Sequence, residues 1–150
     1  MMRITPLLLF VAAAISGCST SGSATSESFT QFAAGHQNLV CKSVAIAEPV
    51  IDTTGASNPS VTATRDKLVQ IFMQLGYKVE SNQPSIFGGD SVCVVNSTFW
   101  LVGSFNRTIT LSIEDPLLDE IIYTADISVR GSQDELLSAI GNALRPDLAR

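Results

Sequence analysis

Few side chains in this 150-residue chain could do chemistry, and their spacing narrows the options. The thiols are Cys18, Cys41 and Cys93, and the one imidazole is His36. His36 falls in a stretch read below as a solvated tether, so neither a multi-histidine zinc site nor a His-based triad is expected. No GxSxG, P-loop or GxGxxG pattern occurs, and Gly88-Gly89-Asp90 reads as a turn. Glu114, Asp115, Asp119 and Glu120 form the densest acidic cluster. Two such carboxylates could bind calcium or act as an acid/base pair. They lack the order and the glycine of an EF-hand loop, so a solvated turn rim is expected. No catalytic residue, metal site or cofactor is assigned.

Composition agrees. Nine Lys/Arg against fourteen Asp/Glu give a formal net charge of −5. That is a poor basis for binding nucleic acid, where phosphate neutralisation supplies most of the affinity. The 45% apolar content can build the core of one domain.

The front of the chain carries an address. Arg3 precedes an apolar run over residues 6–15, and the small residues Ser16 and Gly17 follow. This is the order of a secretory signal, and the run is about half of the roughly 20 residues a spanning helix needs. The tetrad Ile15-Ser16-Gly17-Cys18 resembles the lipobox of bacterial lipoproteins, with Ile where Leu is preferred. The resemblance implies removal of residues 1–17, a diacylglyceryl group on the Cys18 thiol and an acyl chain such as palmitate on its amine. Ser19, where Asp would favour retention in the inner membrane, implies export to the outer membrane, facing the periplasm. Two or more acyl chains anchor stably where one is marginal. Loss of Arg3 leaves 9 − 1 = 8 basic side chains against fourteen acidic ones, a net charge of −6. The lipid, not charge, then holds the protein to the membrane.

Residues 18–37 read as the lipidated cysteine and a flexible Ser/Thr-rich tether. Within it, Phe29 and Phe32 could form a helical turn docked on the domain, or lie near the lipid headgroups. Residues 38–150 read as one globular domain. Residues 39–47 look like a strand, 48–59 a loop, 77–80 a short strand and 81–90 a loop. Leu68, Ile71, Phe72 and Leu75 mark one face of a helix over 61–75, with Ser60 as N-cap and Gly76 as stop. Alternation over 91–102, 107–113 and 121–130 predicts three more strands, joined by a hairpin connection at 103–106 and a turn at 114–120. Ser132 and Glu135 form a capping box ahead of a helix that Pro146 should end. The expected fold is α+β, an antiparallel meander covered on one face by two helices, in the order β-α-β-β-β-β-α.

In an oxidising compartment Cys41 and Cys93 should form a disulfide, which makes their strands neighbours. The strand around Trp100 is apolar on both faces. It is either buried on both sides, shifted in parity by a bulge near Asn96-Ser97, or carries an exposed patch in which Trp100 and Phe105 contact a partner, a lipid or a peptide. The function expected is a non-enzymatic binding or assembly module of the cell envelope, held by its lipid and meeting an envelope protein. A small lipid-anchored hydrolase using carboxylates and a structural or stress-related surface lipoprotein are the alternatives.

Overall fold

A computed structural model describes residues 25–54, 59–80 and 91–150. The signal segment, Cys18 and the Gly88-Gly89-Asp90 turn lie outside the described residues. The strands are β1 (Ser26–Phe32), β2 (Ser43–Ile46), β3 (Val50–Thr54), β4 (Lys78–Glu80), β5 (Val92–Val102), β6 (Asn106–Asp115) and β7 (Glu120–Arg130). The helices are α1 (Val61–Gln74) and α2 (Gln133–Leu148). This is an α+β fold on one seven-stranded sheet, in the order β1-β7-β6-β5-β2-β4, with β3 also on β5.

The meander expectation needs correction. β5, β6, β7 and β1 are antiparallel, but β2 runs parallel to β4 and to β5, and β3 runs parallel to β5. The sheet is mixed. The observed order is β-β-β-α-β-β-β-β-α. Two strands lie where none was expected. β3 occupies the loop after Pro49, and β1 occupies the tether. SESFTQF pairs along its whole length with β7, from Ser26 opposite Val129 to Phe32 opposite Tyr123. The backbone ladder compensates for a side-chain set with little to bury. Phe29 and Phe32 are therefore strand residues three apart, on opposite faces, and only Phe32 packs on the core.

β5 is paired along both of its edges. One edge pairs with β6 from Val94 to Val102, and the other is shared between β2 and β3. Its alternation is unbroken. Cys93, Val95, Ser97, Phe99 and Leu101 are buried, and the residues between them are not. No bulge lies at Asn96-Ser97; Ser97 occupies a core position, with a buried hydroxyl that lacks a hydrogen-bond partner. The bulge is in β6–β7, at Ile113/Glu114. It puts Ile122 into the core and leaves Ile121 outside, where simple alternation had placed Ile121 inside.

Ile109, Leu111 and Ile113 of β6 join Tyr123, Ala125, Ile127 and Val129 of β7 in the core. Leu68 and Phe72 of α1 and Leu136, Ile140 and Leu144 of α2 complete it. Each such aliphatic or aromatic side chain contributes about 1.5–3 kcal/mol on burial. Both helices start as the sequence indicates. Ser60 Oγ accepts from Ala63 N, and Ser132 and Glu135 form the reciprocal box. Gly76 takes φ +97°, a conformation that favours glycine, where α1 turns into β4. Pro146 does not end α2, which continues to Leu148. In the last turn the proline removes one backbone donor, while buried Leu144 and Leu148 hold the helix to the sheet.

Two links fasten the α1 side of the sheet. The Cys41–Cys93 disulfide is formed, with Cα atoms 5.7 Å apart, and it ties the entry to β2 onto its parallel neighbour β5. The Arg150 guanidinium lies 4.2 Å from the Tyr77 ring centroid and donates to the carbonyls of Leu39 and Cys41. Replacing Arg150 with Ala should lower the unfolding free energy by about 1–3 kcal/mol, the range for charge-assisted hydrogen bonds, read by urea titration. Replacing both Cys41 and Cys93 with Ala removes a 52-residue crosslink. The chain-entropy relation predicts a loss of about 4 kcal/mol, and an unchanged urea midpoint would contradict it.

Candidate functional site

The helices cover one face of the sheet, and among the described residues nothing packs across the other. Because paired residues share a face, register defines this open surface row by row. Asp52, Trp100, Thr108 and Ser128 make one row; Val50, Thr98, Thr110 and Asp126 make the next. Asn96, Ser112 and Thr124 follow. The β6–β7 part is a hydroxyl ladder. The Thr108 and Ser128 hydroxyls lie 3.0 Å apart, and Thr110 donates to Asp126 at 2.8 Å. Such cross-strand pairs stabilise a solvated sheet face.

The end of β5 nearest the β5–β6 turn is apolar. Trp100 is 46% exposed, Val102 follows on the same face, and Phe105 at the β5–β6 turn is 66% exposed. The Trp100 side is thus the exposed alternative, while Cys93, Val95, Phe99 and Leu101 form the dry side. Beside Val102, the register runs through Asn106 to Arg130. A groove of about 280 Å³ lies there, lined by Thr25, Glu27, Arg107, Thr108, Ser128 and Arg130 among others. Arg107 is committed, donating to Gly131 O at 2.9 Å and to Gln133 Oε1 at 3.3 Å.

The acidic cluster lies at the opposite end, around the β6–β7 turn, with exposed Leu117 and Leu118 at its tip. Its carboxylates serve the backbone and neighbouring strands. Asp115 Oδ1 accepts from Leu117 N at 2.9 Å, a side-chain cap of the turn. Glu114 accepts from Asn96 at 3.4 Å, and Asp119 holds the positive φ of 51° that closes the turn. Glu120 lies 3.3 Å from His36 Nε2. His36 is therefore docked against β7 rather than solvated in a tether, because β1 carries the chain across the sheet to meet it. Among the described residues no group of three or more His, Cys, Asp or Glu could hold a metal ion.

One buried polar group escaped the sequence reading. Tyr123 packs edge-on to Phe32 with centroids 4.9 Å apart, and its hydroxyl donates to Asp147 at 3.0 Å. Asp147 also accepts from Thr30 at 2.8 Å, so one carboxylate in the last turn of α2 joins β1 and β7. Burial pushes the Tyr123 phenol above its ordinary value, and the Asp147 charge adds to the rise against a lowering contribution from Thr30. No spacing in the sequence announces this group, since its partners are 93 and 24 residues away.

The raised pKa of Tyr123 fixes the sign of a pH effect. The neutral phenol's contribution is fully present below the unfolded value of about 10 and is lost as pH rises toward the folded value. The unfolding free energy should therefore fall above pH 10 by up to about 1.4 kcal/mol per pH unit from this group, and Tyr123→Phe should flatten that limb in urea titrations. Trp100→Ala, on the exposed face, should change the melting temperature by less than about 3 °C, whereas a drop of 8 °C or more would place it in the core.

No protein-family model matches the chain, and no curated protein matches it significantly. The fold does have solved counterparts. Two structures of the PelC dodecamer from Paraburkholderia phytofirmans, one of them a single-substitution variant, superpose with TM-scores of 0.57 and 0.55. They are 11% and 12% identical to this chain, cover 84% and 85% of it, and are themselves covered to 99%. At such identities the likeness establishes a shared fold.

Proposed function

We propose that this protein is a lipid-anchored assembly module of the bacterial envelope, held by Cys18 to the periplasmic face of the outer membrane and working by contact rather than catalysis. The carrying observation is the placement of Cys18 in Ile15-Ser16-Gly17-Cys18, behind an apolar signal-like run and seven residues ahead of Thr25, beside which the ordered sheet begins. A disulfide-linked domain suits that oxidising compartment. The turn carboxylates act as caps and bridges, which supports contact over hydrolysis. The PelC structures of similar fold are dodecamers, which supports self-association as the form the assembly takes.

Cys18→Ser should yield an uncut precursor without acyl mass that leaves the membrane fraction, read by intact mass spectrometry and fractionation. A normally processed, membrane-bound Cys18→Ser protein would remove the anchor from this reading. Detergent-solubilised wild type should show a discrete oligomeric mass by light scattering, and a monomer at every concentration would remove self-association.

A further inference from the structure

We infer that the β5–β6 turn and the adjoining Trp100 strip dock on the phospholipid surface, so that the sheet stands end-on against the membrane with Phe105 leading. The inference rests on the Cys18 anchor and deepens it by naming what the exposed aromatic end touches.

The Arg130 amide donates to Thr25 O at 3.1 Å, and the next amide, Gly131, donates to Phe105 O at 2.8 Å. Thr25 therefore emerges at the same end of the sheet as the Phe105 turn. Cys18 is seven residues upstream. Seven residues reach at most about 25 Å. β7 is 11 residues long, so the Leu117-Leu118 tip lies roughly 34 Å from the Thr25 end. If that tip stood on the bilayer, Thr25 would be farther from the surface than the anchor can span. The exposed leucines are thereby excluded as the standing end, and the Phe105 end is selected.

The chemistry of the two ends agrees. The β6–β7 tip carries Glu114, Asp115, Asp119 and Glu120, a cluster that anionic headgroups repel. At the Phe105 end stand Arg107 and Arg130 as well as Glu27, Asp134 and Glu135, and the Glu135 carboxylate is already taken by the Ser132 amide. Val102 and Trp100 continue the apolar strip along the open face from Phe105, two residues or about 7 Å apart. That length matches the roughly 5–10 Å depth reached by interfacial elements. Phe105 then enters the acyl boundary, and Trp100 lies at the headgroup level favoured by its amphipathic ring. Exposed Arg130, in the same row as Val102 across Asn106, can meet phosphate oxygens.

Trp100 is the only tryptophan in the chain, so it reports directly. The full lipidated protein is reconstituted into phosphatidylethanolamine/phosphatidylglycerol vesicles, with or without lipid brominated high on the acyl chain, and floated on a density gradient. In the floated fraction, brominated lipid should quench Trp100 emission about twofold, consistent with an interfacial depth. Phe105→Asp should remove most of that quenching while the protein still floats, and Leu118→Asp should leave it unchanged. Flotation without quenching overturns the docking alone. Failure to float overturns the anchor, and the docking with it. Protection of Trp100 from aqueous iodide that needs no vesicles and grows with protein concentration assigns the strip to a second copy and overturns the docking.

Discussion

The structure depends on the asymmetry of one strand. β5 has partners on both edges, β6 along one and β2 then β3 along the other. With its backbone satisfied, what remains is the difference between its faces. Phe99, Val95 and Cys93 face a dry core, while Trp100 and Val102 face outward. A strand apolar on both faces belongs under two layers, yet the described chain supplies helices for only one. The exposed apolar strip follows from that mismatch and is not a random surface feature. Removing it would leave the core intact, which separates the energetics of folding from those of contact.

The core face carries one unresolved tension. Ser97 places a hydroxyl among Val95, Phe99 and Leu111 with no hydrogen-bond partner. An unsatisfied buried hydroxyl costs about 1–3 kcal/mol, and nothing in the described structure offsets it locally. The larger fastenings lie elsewhere. The disulfide and the Arg150 guanidinium both secure the segment before β2. That segment has only the four-residue strand β2 to hold it in the sheet, so it needs covalent and charge-assisted help. Asp147 does the corresponding work for β1, whose outward residues bury little.

Legibility in the sequence followed burial. β5, β6, β7 and both helices were readable because their apolar residues repeat at the period of their backbone, and the capping box at Ser132 and Glu135 marks a helix start. Cys41 and Cys93 were readable as a bridge because compartment and cysteine number constrain them. β1 was unreadable because Ser, Glu, Thr and Gln form an edge strand by backbone pairing alone, with a partner some 100 residues later. β3, five residues after a proline, failed for the same reason. Parallel pairing leaves no local signature, so the mixed sheet was invisible. The exposed Trp100 strip was visible as an anomaly but not as a direction, since alternation states that two faces differ without stating which one the helices cover.

Topology explains why the helices leave that face bare. β2 and β4 are parallel neighbours, and a parallel pair needs a crossover out of the sheet plane. α1 supplies it, and α2, following β7, packs beside α1 on the same side, with Gly141 facing Ile71. β5, β6 and β7 are antiparallel and joined by short turns, so among the described residues no helix covers the opposite face. The same antiparallel run sends β1 back along β7 and brings Thr25 to the Phe105 end. Strand direction thus sets which end of the sheet Thr25 meets, and leaves the acidic tip with Leu117 and Leu118 at the far end.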